Sequence, residues 1–173
     1  MIAYTEKGKW LISAIGEAGY WLRNTHNPIP GKDYNVKDED AIQAIIDSFD
    51  PLPFAQSEAK EKIKEASFTK RLEFVTDAPG KDAEYRAKQS EAEQYEVDAT
   101  VGVYMQARVG VTGEATQQVA DVWNAKSVSW RAIGAQMCAI EDKAMMDLGE
   151  EADWTSCSTI ANAAIAGITN VSG

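Results

Sequence analysis

The chain has 173 residues, with 17 Lys and Arg against 27 Asp and Glu, one His and two Cys, giving a formal net charge of −10. At 45% hydrophobic and 25% charged residues it has the composition of an ordinary globular protein able to bury a core without staples, which argues against wholesale disorder, collagen or a disulfide framework. The acidic balance repels phosphate backbones, and no basic patch stands out to offset it, so nucleic acid is not an expected partner.

Helical periodicity dominates the pattern. Leu11, Ile15, Ala18 and Leu22 recur at one-face helical spacing with Trp10 and Trp21 beside them, and Thr5 stands where a cap would. This predicts a first helix, although Gly16 and Gly19 weaken it by about 1 kcal/mol each. Between Asn24 and Val36 the prolines Pro28 and Pro30, Gly31 and several Asn residues read as loop. The alternating flanks around residues 20–36 fit a small β-hairpin.

Asp38, Glu39 and Asp40 place negative charge where a helix N-terminus offers unpaired amides, and Ile42, Ile45, Ile46 and Phe49 follow as a buried face. Asp50-Pro51-Leu52-Pro53 stops that helix. A long, solvated helix comes next, with Ala55, Ala59, Ile63 and Ala66 in register. It breaks at Ala78-Pro79-Gly80, and a charged helix opens at Lys81 with Tyr85, Ala92 and Tyr95 on one side. A short helix is expected between Gly102 and Gly110. Thr112 reads as the N-cap of the longest element, about 35 residues over 112–149, carried by Val119, Val122, Trp123, Trp130, Ile133, Met137, Ile140, Ala144 and Leu148. Asp153 to Gly173 is either a terminal helix around Ile160, Ala164 and Ile168 or a docked tail.

The expectation is therefore an all-α protein of about five helices. It divides into an N-terminal helical and loop segment over 1–53, a helical bundle or hairpin domain over 54–149, and a tail or short helix over 150–173. Met1 to Trp10 shows no apolar run before a small-residue cleavage site, so secretion by a signal peptide is not expected. The weakly polar stretch Cys157 to Val171 is too short to cross a bilayer about 30 Å thick. Without a secretory signal, Cys138 and Cys157 read as free thiols.

The search for chemistry returns little. His26 would have to serve any Ser-His-Asp or Cys-His site, yet it sits in the proline-bearing loop with no nucleophile elbow anywhere in the chain. The repeated Pro-Gly-Lys-Asp at 30–33 and 79–82 fails as a phosphate loop. The place five residues before each GK glycine holds His26 or Val75, and the lysine is followed by Asp33 or Asp82 where Ser or Thr would hold magnesium. Asp38 to Asp40 lack the alternating spacing of a calcium loop, and Glu141 and Asp142 read as a solvated face. No catalytic residue, cofactor or metal is expected. The tryptophans Trp123 and Trp130, seven residues apart, suit a helical core first and a partner-binding face second. Candidate contact residues are Trp123, Trp130, Met137 and Tyr104.

The run Ala41 to Ala66, the segment Pro79 to Tyr95 and the segment Met105 to Met145 resemble a group of small, mostly helical proteins encoded among the tail and tail-fibre genes of tailed bacteriophages and prophages. The specific pieces are the helix running into Asp50-Pro51-Leu52-Pro53, the Tyr85, Lys88, Glu91 and Ala92 pattern, and Thr112 to Trp130. The resemblance covers Ile2 to Leu148. It implies a non-enzymatic role as a virion structural component or a tail-fibre assembly factor, located in the tail or in the host cytoplasm during assembly. Other tail proteins and further copies of the chain are its expected partners. Two alternatives differ in class: a phage-encoded regulator or inhibitor of a host protein, and a small hydrolase or metal-dependent binder using the His26 loop.

Overall fold

The computed structural model describes residues 6–16, 19–23, 34–74 and 81–172. Among them the molecule is mainly α-helical: six helices and one small antiparallel sheet. A 3₁₀ turn, Glu6–Trp10, leads into β1 (Ile12–Gly16), β2 (Gly19–Leu22) and β3 (Tyr34–Val36), and the helices are α1 (Glu39–Ser48), α2 (Leu52–Leu72), α3 (Lys81–Asp98), α4 (Val103–Thr112), α5 (Thr116–Glu150) and α6 (Cys157–Thr169).

The expected first helix is instead the 3₁₀ turn and two strands. The sheet order is β1-β2-β3, with Ile15 opposite Tyr20, Tyr20 opposite Val36 and Trp21 opposite Asn35. Burial alternates along β2: Tyr20 and Leu22 point inward while Trp21 is exposed, the period of two that a strand imposes. Gly19 explains why a helix fails here. Its φ is +116°, and a Cβ on it would lie 2.5 Å from the Val36 carbonyl oxygen, so only glycine fits against β3. The β2–β3 pair falls within the hairpin expected over 20–36.

Leu11, Ile12, Tyr20, Leu22 and Val36 form one core cluster with Ile42 and Ile46 of α1. Asp38 caps α1 as its sequence suggests, its carboxylate accepting from the Asp40 and Ala41 amides at 2.9 and 3.2 Å. Asp50 then accepts from the Leu52 amide at 3.0 Å to start α2.

A second cluster joins α2, the C-terminal half of α5 and α6 through Ala55, Ala59, Ile63, Ile133, Met137, Ala144, Leu148, Cys157, Ala161, Ala164 and Ile168. The buried row of α2 is Ala55, Ala59, Ile63 and Ser67. Unbroken steps of four make a ridge, small-sided except at Ile63, against which α6 packs as the most extensive helix pair. Gln56 caps the far end of α5, donating to the Leu148 and Glu151 carbonyls at 2.7 and 3.3 Å.

A third cluster holds Ala92 of α3, Met105 of α4, and Val119, Ala120 and Trp123 of α5. The long helix runs from Thr116, not Thr112, and continues one residue past Gly149. Thr112 is the last residue of α4; its hydroxyl bonds the Arg108 carbonyl at 2.9 Å and Glu114 at 2.8 Å, and Gly113 ends the helix at φ 72°. At Ala115 the cap is Gln118, whose side-chain oxygen accepts from the Ala115 amide at 3.2 Å.

Among the described residues, one that carries a Cβ has a left-handed backbone. Ala99, just past α3, sits at φ 61° while its amide bonds the Tyr95 carbonyl at 2.8 Å. A left-handed conformation costs a residue with a Cβ roughly 1–2 kcal/mol. Ala99→Gly is therefore expected to raise the unfolding free energy by about 1 kcal/mol, measured as a higher urea midpoint at constant slope; an unmoved midpoint would show that the strain is not stored there.

Candidate functional site

Of the four candidate contact residues, Met137 is fully buried in the α2–α5–α6 cluster. Trp123 is 7% exposed in the α3–α4–α5 cluster, with the Lys88 ammonium 5.8 Å from its ring centre. Trp130 is half-buried, 6.3 Å from Phe74. Their spacing marks the inner face of α5, where large groups seat the chain's own helices. Tyr104 differs: it lies on α4 with 44% of its surface exposed.

Several partly buried carboxylates fasten one element to another. Glu141 of α5 accepts from the fully buried Ser67 hydroxyl and from Arg71 Nη2 at 2.7 Å, both on α2. Glu58 of α2 accepts from Trp10 Nε1 at 3.0 Å and pairs with Lys62 at 2.6 Å and Lys9 at 3.4 Å. The Lys62 hydrogen bond outweighs partial burial and holds the Glu58 carboxyl below its ordinary range. Trp10 meets Trp154 edge to face at 5.6 Å, so this knot fastens the sheet to the helices. Glu91 of α3 accepts from the Tyr104 and Met105 amides at 3.1 and 2.8 Å and so caps α4 from a neighbouring helix. Glu114 is pushed down to about 2, first by Arg108 and then by Thr112.

Little here suits bond-making chemistry. Both cysteines are free, and burial pushes the Cys157 thiol up, away from the thiolate a nucleophile needs. Among the described residues no three His, Cys, Asp or Glu side chains gather to hold a metal. The His26 loop lies outside the described residues. An open depression of about 450 Å³ between α2 and α6 is rimmed by Lys62, Glu65, Lys70 and Glu73, with Ala66 and Ile165 on its lining. Among the described residues no helix is long and apolar enough to cross a membrane.

No family model, curated protein or solved structure matches this chain.

Among the described residues, two helix faces combine exposure with an absence of charge. On α5, the side opposite Trp123 and Met137 presents Val122, Ala125, Val128, Ser129, Ala132, Ala135, Gln136 and Ala139, every one exposed and none charged. Ala115, Gln118, Val122, Ala125, Ser129, Ala132, Gln136, Ala139, Lys143 and Met146 follow an unbroken alternation of three and four, the period of a coiled-coil seam. The uncharged part is about 25 Å long at 1.5 Å per residue. On α4, the outward face carries Val103, Tyr104, Ala107, Gly110 and Val111, again all exposed and uncharged. Of these, Tyr104 alone is among the contact residues expected from sequence. The α5 row was available as a second periodicity, hidden because alanine and serine weigh little beside the tryptophans on the opposite face.

Proposed function

We propose that this chain is a non-enzymatic docking protein of a tailed bacteriophage, a tail component or a tail-fibre assembly factor, that lays the outer row of α5 against a helix of a partner tail protein. The α5 row carries this reading. Its three-four spacing selects a helical partner, its small side chains let a second backbone come close, and its own members from Val122 to Ala139 carry no charge to desolvate. The resemblance of the α1–α2 junction and of Thr112 to Trp130 to tail-gene proteins supports the setting.

Ala132 lies at the middle of the row, exposed and inside a regular helix. Ala132→Glu is expected to leave helicity and unfolding midpoint nearly unchanged. Co-expressed with the tail and tail-fibre proteins of its own genome, the variant is expected to copurify with its partner at least tenfold less than the wild type, since a buried unpaired charge costs several kcal/mol. Equal copurification would overturn the α5 reading. Mass spectrometry of purified virions separates the two roles: a component is present in mature particles and an assembly factor is absent.

A further inference from the structure

The sheet and α1 have a core of their own. Leu11, Ile12, Tyr20, Leu22, Val36, Ile42 and Ile46 close on one another, with Ile45 and Phe49 beside them. None of them belongs to the α2–α5–α6 cluster, which meets this lobe at one described hydrophobic residue, Trp10 of the 3₁₀ turn. Among the described residues, the substantial element pairs lie either within the lobe, as turn on β1, strand on strand and α1 on β3, or among α2 to α6, and none joins the two sets. The joint between them respects the same division. Only residues 49–51 separate α1 from α2, and each helix is capped on its own side: Asp38 holds the α1 amides, the Phe49 amide closes on the Ile46 carbonyl, and Asp50 holds the Leu52 amide. A turn about this joint therefore breaks no helix cap. Within the lobe, Lys7 donates to the Asp47 carbonyl at 2.8 Å and Arg23 to the Lys9 carbonyl at 3.3 Å, so the 3₁₀ turn is tied to α1 and to the end of β2.

The described contacts that bridge lobe and helices gather at Glu58 of α2. Its carboxylate accepts from Trp10 Nε1 at 3.0 Å and pairs with Lys9 at 3.4 Å, both from the lobe, and with Lys62 of its own helix at 2.6 Å. The Lys9 ammonium lies 4.2 Å from the Trp10 ring centre, and that ring meets Trp154 edge to face. Phe49 and Phe54 add a ring contact at 5.3 Å across the joint itself. Water reaches the knot, since the Lys9 and Glu58 side chains are 36% and 35% exposed. A wet, ionic contact of this kind lets two parts of a chain move, whereas a large apolar one locks them together. We propose that the 3₁₀ turn, the sheet and α1 form a lobe latched to the helical body through Glu58, and that this lobe swings out as a folded unit about residues 49–51, uncovering Trp154, while α2, α5 and α6 stay packed. None of the latch residues lies on the α5 row, so the device stands or falls independently of the docking reading.

Double electron–electron resonance on the full chain reads the swing. Spin labels go on Ala44→Cys of α1 and Ala163→Cys of α6, both exposed positions, in a Cys138→Ser background; the remaining thiol, Cys157, is buried. The expected result is a closed distance with a minor longer population, since the less stable of two conformers holds about 0.1–10% of the molecules. Glu58→Ala is expected to raise the ratio of open to closed about tenfold, the effect of losing hydrogen bonds to a charged group. Glu58→Gln, which still accepts from Trp10 but offers Lys9 no charge, is expected to fall between the two. Hydrogen exchange separates swinging from melting: in Glu58→Ala the amides that pair β1 with β2 and β2 with β3 are expected to keep their protection. A single closed distance in both the wild type and Glu58→Ala, an open population that Glu58→Ala does not enlarge, or a loss of strand protection in step with opening would each overturn the proposal.

Discussion

Met137→Ala is expected to lower the unfolding free energy by about 2–5 kcal/mol, the range for deleting a fully buried large side chain and leaving a cavity behind. Met137 has no exposed surface and sits where α2, α5 and α6 meet. The surrounding helices relax only in part around such a gap, and five of the residues that share its cluster, Ala55, Ala59, Ala144, Ala161 and Ala164, are alanines. For a chain of this size each kcal/mol moves the thermal midpoint by roughly 2–4 °C, so the loss is large enough to read in a single melt. Tyr104→Ala is the matching control and should change stability by less than about 1 kcal/mol. Equal effects from the two substitutions would mean that α5 does not present Met137 to the core.

Gly102→Ala is expected to cost about 2–3 kcal/mol, although its backbone, at φ −78° and ψ 172°, accommodates alanine. The cost arises through Glu91. A Cβ on Gly102 would stand 2.2 Å from both Cγ and Cδ of Glu91, so the carboxylate must leave, and with it go its bonds to the Tyr104 and Met105 amides. Hydrogen bonds to a charged group are worth roughly 1.5–3 kcal/mol, more than neutral ones. Glu91→Ala should therefore cost about as much as Gly102→Ala, and the double variant no more than either alone. Additive losses, measured by denaturant unfolding, would show that the glycine and the carboxylate act separately.

Where the sequence carried chemical punctuation, the fold was legible. Asp38 opens α1, Pro51 and Pro53 set the α1–α2 junction, and the large apolar residues from Val119 to Leu148 announced the long helix. The N-terminal segment misled because period four and period two share positions over so short a run. Leu11 and Leu22 are buried in either reading, but Ile15, expected inside a helix, is 39% exposed on a strand, and Ile12 and Tyr20 take the interior. Gly16 and Gly19 counted as weak points of a helix, whereas they stand at the facing ends of β1 and β2. Thr112 misled differently: a threonine that bonds backward into α4 has the same one-letter signature as one that caps forward. The exposed, uncharged faces were legible only in part. An exposed alanine row has almost no hydropathy contrast, and whether valines such as Val103 and Val111 face inward depends on which side of α4 meets α3 and α5, a matter of tertiary packing.

Pairing α2 with α6 has a consequence for the nascent chain. The row Ala55, Ala59, Ile63 and Ser67 leaves the ribosome nearly a hundred residues before the helix that covers it. Helices α3, α4 and the first turns of α5 are sequence neighbours and can close their cluster at once, since short loops cost little entropy. Until α6 arrives, only the C-terminal half of α5 can cover part of that row. Apart from Ile63, the alanines and serine of this row suit such a wait better than leucine or phenylalanine would: small side chains offer little for a passing hydrophobic segment to grip, yet they allow close packing once α6 arrives.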